Sequence, residues 1–366
     1  MRARLLLVTD AVGGVWVYSL ELARALRQLG IDTVIAVIGP SPCGWKSEQA
    51  DGFRLIDTHL PLEWLATDPG DVRRAGKTLA GLADREGADI VQTSSAALLA
   101  DTSFNQPCVA MQHSCVASWW AAVKGTALPH EFVWRRDLVE CGLLRASAVV
   151  APSISFAVET ARTYDVTGAV TAVHNGRTRM WSRDVPQGDF VFTAGRLWDE
   201  GKNLVTLDAA ASRMRVPLQA AGSVRGPNGA AINVRHVELL GELGRTRLGG
   251  LYAARPIYAS AALYEPFGLS VLEAAHAGCA LVLSDIPTHR EIWGGAAIFV
   301  PARDDAAFSA AIQDLIDDPD ERQQLGQLAR TRAAHYTVER MAHGMADIYA
   351  RLTASSSQPL RIAGAA

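Results

Sequence analysis

Short apolar runs alternate with longer stretches of helical periodicity along the first half of the chain. Short runs of this kind are typical of strands buried on both faces of a parallel sheet, and the stretches between them of the helices that cover it. Strands are accordingly predicted at residues 5–8, 33–37, 89–92, 108–111, 148–151 and 169–173. Helices are predicted at 16–29 and 71–85. The alternation predicts an α/β domain.

The second half repeats this alternation. Strands are predicted at 190–194, 218–222, 237–240, 258–263, 280–283 and 297–300, and helices from 204, at 304–316 and at 320–334. The segment 183–188 is polar and turn-rich, so we expect two Rossmann-like, doubly wound domains that face each other across a cleft. They are assigned to 1–182 and 183–353, with the last helix a candidate to pack back on the first domain. The small, polar residues 354–366 are expected to form a flexible tail.

Composition and charge narrow the class of protein. With 49% hydrophobic residues the chain can fill two cores, and its net charge of −3 argues against nucleic acid as a partner. The apolar runs fall short of the ~18 residues that a membrane-spanning helix needs, so we expect at most weak membrane association. The five cysteines are scattered without metal-ligand spacing, which is typical of reduced thiols in a cytoplasmic protein.

The most informative segment runs from Glu265 to Gly278. Pro266 suits the first turn of a helix and Gly278 its left-handed end, so a helix is expected to start next to Glu265 and to offer an anion site there. Glu273 lies eight residues further on, about 12 Å away along a helix axis at about 1.5 Å per residue. Paired acids of a retaining glycosidase need about 5 Å, so this spacing fits better an extended, polyhydroxylated phosphate ester with one carboxylate at each end.

In each domain, one glycine-containing segment follows the first predicted strand. Gly13 and Gly14, within residues 10–16, would let a ligand approach the backbone. Within residues 195–203, Arg196 and Lys202 form a pair of cations that can neutralise a diphosphate. Considered separately, the first segment also fits a tight strand-to-helix turn and the second a solvated loop.

His113 follows the strand predicted at 108–111, and two tryptophans, Trp119 and Trp120, come soon after it. A lone histidine is more often structural than catalytic, and adjacent tryptophans more often pack in a core than stack on a sugar. The sequence contains no metal-ligand cluster, dinucleotide-binding glycine fingerprint, P-loop or nucleophile elbow. An NAD-linked oxidoreductase is therefore disfavoured.

The spacing of Glu265 and Glu273, together with that of Arg196 and Lys202, resembles the retaining glycosyltransferases of the GT4 family, whose fold is GT-B. The resemblance covers about residues 1–350 and is most specific in the second half. Two departures stand out. Residues 174–176 read His-Asn-Gly where the family has Pro-Asn-Gly, and residues 198–201 replace a Pro-Glu-Lys-Gly segment.

The resemblance implies a role for each candidate residue. Glu265 would bind hydroxyls of the transferred sugar and Glu273 those of the ribose, while Arg196 and Lys202 would stabilise the departing diphosphate. His113 occupies the place of a histidine that lies beside the transferred sugar. The remaining candidates would act mainly through their backbone, near the donor phosphates, the sugar or the acceptor: Gly13, Gly14, Phe267, Gly268 and Leu269.

The implied activity is that of a retaining, metal-independent glycosyltransferase, with hexose as the expected sugar. The first domain would bind a small-molecule, glycan or lipid-linked acceptor, and the second a nucleotide-sugar donor, with no other cofactor. Two alternatives remain open: a GT-B sugar-nucleotide epimerase or hydrolase, and a non-catalytic nucleotide- or carbohydrate-binding module. Donor consumption with and without acceptor separates these three possibilities.

Overall fold

The computed structural model describes residues 3–42, 44–166, 170–180 and 185–356, which contain two parallel sheets. The first sheet has seven strands in the order β3-β2-β1-β4-β5-β6-β7. Their bounds are β1 Arg4–Asp10, β2 Asp32–Ile38, β3 Arg54–Asp57, β4 Ile90–Thr93, β5 Cys108–Met111, β6 Ala148–Ala151 and β7 Thr171–Ala172. Its helices are α1 Gly14–Gln28, α2 Trp45–Gln49, α3 Pro69–Arg85, α4 Val116–Lys124, α5 His130–Arg145 and α6 Ile154–Tyr164, with a short 3-10 helix at Ala96–Leu99.

The second sheet has six strands in the order β10-β9-β8-β11-β12-β13. Its strands are β8 Val191–Ala194, β9 Leu218–Ala221, β10 Val237–Gly241, β11 Ile257–Ser260, β12 Leu281–Ser284 and β13 Ile298–Val300. The helices that follow are α7 Leu204–Ala211, α8 Arg245–Ala253, α9 Leu269–Ala277, α10 Pro287–Trp293, α11 Asp305–Asp317, α12 Pro319–Ala333 and α13 Val338–Ser356, with a 3-10 turn at Glu200–Lys202. The α/β, doubly wound architecture predicted from the apolar runs is thereby confirmed.

The strand orders place one crevice in each domain. Strand order reverses beside β1 and β4 in the first sheet and beside β8 and β11 in the second. Ligands of doubly wound sheets bind at such reversals, outside the carboxyl ends of the strands. In this chain the segments after β1, β8 and β11 are the glycine loop, the Arg196–Lys202 loop and the segment that contains Glu265. Chain order and sheet topology therefore bring together motifs that are far apart in sequence.

The last helix returns to the first domain. α13 lies against α1, and its buried residues Met341, Met345 and Ile348 belong to the same apolar cluster as Leu5 and Trp16. α13 extends to Ser356, beyond the expected domain end at residue 353. The predicted boundary at 182/183 and the rest of the expected tail, 357–366, lie outside the described residues, so the domain limits remain predictions.

One helix prediction was wrong at its start. α9 begins at Leu269 rather than beside Glu265, and Gly268 precedes it with φ of 91°. That left-handed backbone cannot continue a right-handed helix, so Pro266 and Phe267 belong to a loop. Gly278 ends α9 in the left-handed conformation, as expected, with φ of 84°. Only the final part of the Glu265–Glu273 spacing is helical, and the estimate of about 12 Å at about 1.5 Å per residue does not apply to it.

Candidate donor and acceptor cleft

The carboxyl ends of the two sheets face each other across a cleft with a cavity of about 300 Å³. All ten residues proposed from the sequence line this cavity. From the first domain they are Gly13, Gly14 and His113, and from the second Arg196, Lys202, Glu265, Phe267, Gly268, Leu269 and Glu273. Their roles remain predictions, but these residues line one shared cavity.

The glycine loop lies directly against the opposite wall. A Cβ atom on Gly13 would lie 3.2 Å from Cδ of Arg196, and one on Gly14 would lie 3.4 Å from Cδ1 of Leu269. The loop is shaped by Asp10, whose Oδ1 accepts a hydrogen bond from the backbone N–H of Val12 at 2.8 Å. Burial raises the pKa of Asp10, although this N–H and the nearby cations oppose the shift. A side chain at Gly13 would require Arg196 to shift slightly.

The Arg196–Lys202 loop is organised by Asp199. Its Oδ2 accepts from Nη2 of Arg196 at 2.7 Å, and its Oδ1 accepts from the N–H of Gly201 at 2.9 Å and from Nε1 of Trp119 at 2.9 Å. Burial acts to raise the pKa of Asp199, but the charges of Arg196 and Lys202 and the indole hydrogen bond lower it overall. The departure from the family pattern at residues 198–201 thus supplies an ionised residue that holds the loop together.

Lys202 lines the second-domain wall of the cavity and forms an ion pair with Glu265. Their side chains are 24% and 10% exposed. The next residue, Asn203, donates from Nδ2 to the carbonyl oxygens of Ala261 at 2.9 Å and Ala302 at 2.7 Å. Because Ala261 directly follows β11, these bonds fix the lysine loop to the segment that carries Glu265. A cation is thereby held near one carboxylate and facing the cavity.

Glu273 forms a buried ion pair that the sequence reading did not include. Its Oε1 accepts from Nε of Arg177 at 2.6 Å, and Nη1 of Arg177 also binds Glu21 on α1. Burial disfavours the charge on Arg177, but the two carboxylates raise its pKa above the ordinary value. Arg177 directly follows residues 174–176, the His-Asn-Gly segment that departs from the family pattern. The available signal was Glu21, a charge between Leu20 and Leu22 on a buried face of α1.

His113 lies half-buried at the end of β5, with its ring edge-on to that of Tyr18 and the two centroids 4.4 Å apart. Burial lowers the pKa of His113 to about 3, so the imidazole is neutral near pH 7. Its Nε2 is buried and has no hydrogen-bond partner within the described part of the protein. A neutral ring of this kind can exchange a hydrogen bond with a hydroxyl group of a ligand.

Direct contacts also join the two domains around the cleft. The hydroxyl of Tyr264, the residue before Glu265, lies 2.8 Å from Oγ of Ser118. Ser153 donates from Oγ to the carbonyl oxygen of Pro266 at 2.7 Å. The rings of Trp64 and Trp198 stack with centroids 6.3 Å apart. The cleft is therefore closed by contacts on both sides of the Glu265 segment.

Glu291 of α10 forms a further contact between the domains. Its carboxylate accepts from the first N–H groups of α6, those of Ile154 at 2.9 Å and Ser155 at 2.6 Å, and lies 2.8 Å from Nε2 of His174. Burial acts to raise the pKa of Glu291, but these hydrogen bonds lower it to about 2. His174, the other departure from the family pattern, is thus part of an interdomain contact.

In the described ranges, no group of three or more His, Cys, Asp or Glu side chains is arranged to hold a metal ion. Among the helices of those same ranges, none combines the length and apolar character needed to cross a membrane.

Comparison with known proteins agrees with the fold. The family model described as Glycosyltransferase Family 4 matches residues 12–178, and the one described as Glycosyl transferases group 1 matches residues 230–332. Glycogen synthase from Mycobacterium tuberculosis is 33% identical over 129 residues, which cover 34% of this chain and 31% of that protein. The chain spans about a third of the length of the curated relatives it matches.

Solved structures match over nearly the whole chain. Sucrose-phosphate synthase from Thermosynechococcus elongatus superposes with a TM-score of 0.77 at 18% identity, covering 97% of this chain and 100% of that one. HepE from Anabaena, solved in complex with UDP-glucose, gives a TM-score of 0.72 at 17% identity, covering 95% and 100%. With both family models matched and the two-domain fold shared, the chain belongs to the GT4 family of glycosyltransferases and has the GT-B fold.

Proposed function

We propose that this protein transfers a sugar from a nucleotide diphosphate sugar to an acceptor hydroxyl, with retention of configuration and without a metal ion. The observation that carries the proposal is the charge arrangement on the second-domain wall. Arg196 and Lys202 face the cavity, and Glu265 and Glu273 line the same wall. Two cations and two carboxylates on one wall match a donor that consists of a diphosphate between a sugar and a ribose.

In this proposal each charged group meets one portion of the donor. Arg196 and Lys202 bind the diphosphate and stabilise the negative charge that develops on it as it leaves. Glu265 accepts hydrogen bonds from hydroxyls of the transferred sugar, and Glu273 accepts them from the ribose. The neutral imidazole of His113 lies on the facing wall, where it would contact the sugar.

The reaction needs no nucleophile from the protein. The bond between the anomeric carbon and the phosphate oxygen breaks, and the acceptor oxygen bonds to that carbon on the same face. The acceptor proton moves to the leaving phosphate oxygen. Closure of the two domains excludes water, which would otherwise hydrolyse the donor. The contacts at Tyr264 and Ser153 support this part of the proposal because they hold the Glu265 segment against the first domain.

The test begins with the donor. HepE is solved with UDP-glucose, so UDP, UDP-glucose and UDP-galactose are screened first, followed by the ADP and GDP series. A ligand at 100 times its dissociation constant adds about 2.7 kcal/mol to stability, which a thermal-shift assay detects. Donor consumption is then measured with and without pooled acceptors of three classes: small molecules, glycans and lipid-linked sugars.

The outcomes discriminate between the functions. Consumption that requires acceptor and persists in EDTA supports the proposal. Conversion of donor without acceptor indicates an epimerase or hydrolase, and tight binding without turnover indicates a binding module. Loss of turnover in EDTA with recovery on adding Mg²⁺ or Mn²⁺ would refute metal independence, while the anomeric configuration of the product, read by NMR, tests retention. Localisation of the tagged protein tests a cytoplasmic site of action.

A further inference from the structure

Arg177 lies at the point where both domains meet the cleft. Its side chain is 6% exposed, and its two partners, Glu21 at 3% and Glu273 at 9%, are also buried. Glu21 belongs to α1 in the first domain and Glu273 to α9 in the second. Both Arg177 and Glu273 line the cavity. One guanidinium therefore connects a carboxylate of each domain at the edge of the cleft.

This contact constrains the orientation of Glu273. Nε of Arg177 donates to Oε1 at 2.6 Å, which limits rotation of the carboxylate and leaves Oε2 outside that bond. The neighbouring Tyr252 also interacts with Glu273, whose charge adds to burial in raising the pKa of that phenol. A carboxylate held by these two neighbours has a fixed orientation, which is what directional binding of a ribose hydroxyl requires.

The second contact of Arg177 extends this constraint to α1. Glu21 binds Nη1 of Arg177, and its other oxygen accepts from Oγ1 of Thr178 at 2.7 Å. α1 is the helix that begins at the glycine loop, with Gly13 as its N-cap. Through Arg177, the carboxylate predicted to bind the ribose is therefore linked to the helix behind the opposite wall of the cleft.

We infer that Arg177 is a positioning residue for the donor: it orients Glu273 toward the ribose and couples that orientation to closure of the first domain through Glu21. The inference rests on the proposed function. It assigns Arg177 no contact with the reacting atoms.

The charges explain why an arginine is required. Two buried carboxylates form ion pairs with this one cation, so removal of Arg177 would leave both buried negative groups without that partner. A planar guanidinium can bind Glu21 and Glu273 simultaneously through different nitrogens, whereas the single ammonium of a lysine is a compact charge with another geometry. Arg177→Lys should therefore keep the charge but lose the fixed orientation.

The first experiment compares Arg177→Lys and Arg177→Met with wild type, using the nucleoside diphosphate (UDP, ADP or GDP) that binds wild type most tightly. We expect its Kd and the donor KM to rise about tenfold in Arg177→Met and by a smaller factor in Arg177→Lys. The turnover number should change less than threefold, because the lost contact acts equally on the bound donor and on the transition state. Arg322→Met is the matched control, since Arg322 is also buried, with 5% exposure, but pairs with Asp189 away from the cavity.

The second experiment is a double-mutant cycle. In the Glu273→Gln background, Arg177→Met should weaken diphosphate binding by less than a further twofold, because its effect passes through the missing carboxylate. Glu21→Gln, which keeps the pair between Arg177 and Glu273, should raise donor KM by a smaller factor than Arg177→Met. If Arg177→Met does not fold, the same cycle is completed with Arg177→Lys.

The outcomes separate this inference from the proposed function. Independent, multiplying effects of Arg177 and Glu273 on Kd would overturn it, because Arg177 would then contact the donor itself. Loss of stability in Arg177→Lys with unchanged Kd and KM would also overturn it and leave a structural role. If wild type binds none of UDP, ADP and GDP and turns over none of their sugars, the proposed function fails, and this inference fails with it.

Discussion

The two walls of the cleft differ in the groups that they present to the cavity. The second-domain wall carries charged side chains held by partners, such as Arg196 with Asp199 and Lys202 with Glu265. The first-domain wall offers mainly backbone at Gly13 and Gly14 and the neutral ring of His113, with two cations, Lys46 and the buried Arg177. Fixed charges suit a donor diphosphate that is common to many substrates. In the proposed function, the first-domain wall would face the acceptor.

The largest effect on activity is expected for Lys202→Ala, which tests the role of the charged second-domain wall. This change removes a cation aimed at the leaving diphosphate and leaves Glu265 without its partner. We expect the turnover number to fall about 100-fold, as for loss of one donor to a developing anion, with little change in the far-ultraviolet circular dichroism. Lys124→Ala is the control, because Lys124 also forms an ion pair, with Glu200, but does not line the cavity. Equal loss in the two variants would contradict a role for Lys202 in the chemistry.

Within the charged wall, Glu273 and Glu265 are expected to bind different portions of the donor. We expect Glu273→Gln to weaken binding of the bare nucleoside diphosphate about tenfold, because a charged hydrogen bond contributes ~1.5–3 kcal/mol. Glu265→Gln should leave that binding nearly intact and lower turnover of the sugar nucleotide. Calorimetric titration of both variants measures the difference. Equal losses of affinity in the two variants would mean that the ribose and the sugar do not lie beside Glu273 and Glu265, respectively.

A substitution of His113 tests whether the first-domain wall contributes an uncharged ring to the reaction. Its pKa of about 3 lies below the ordinary value of 6.5, so the folded protein keeps the ring uncharged throughout pH 5.5–8.5. We expect His113→Gln to lower turnover several-fold by a factor that stays constant over this pH range. The unfolded chain takes up this proton below about pH 6.5, so His113 makes the fold less stable as the pH falls from there toward 3. A ratio of wild-type to variant activity with an inflection near pH 6.5 would show that the ring titrates.

The smallest effect is expected away from both walls, at Glu291. Its pKa of about 2 lies below the ordinary 4.5, so its contribution to stability is complete above about pH 4.5 and is lost as the pH falls toward 2. Thermal unfolding of Glu291→Gln should therefore differ from wild type at pH 7 and converge with it at low pH. Because the carboxylate is only partly buried, the difference at pH 7 should be about 1 kcal/mol. A difference that is independent of pH would exclude this carboxylate as its source.

How much could be predicted from the sequence depended on how far apart along the chain the interacting residues lie. Strands such as Cys108–Met111 and Ala148–Ala151 were predicted to the residue, because an apolar run reports burial directly. The candidate residues that line the cavity were chosen from short motifs and from the resemblance of those motifs to the GT4 family. The ion pairs of Arg177 join residues 96 and 156 positions away, and nothing in a local pattern specifies such partners. The start of α9 was misplaced because Pro266 favours a helix start, while the positive φ of Gly268 decides the outcome.

The same interdomain contacts that close the cleft give the protein an intrinsic optical reporter. Trp64 stacks on Trp198 across the boundary, and the indole of Trp119 donates to Asp199 from the other side. Separation of the domains would expose these rings to water and move their fluorescence emission to longer wavelengths. Stopped-flow mixing with a donor could therefore follow closure in real time without an attached dye.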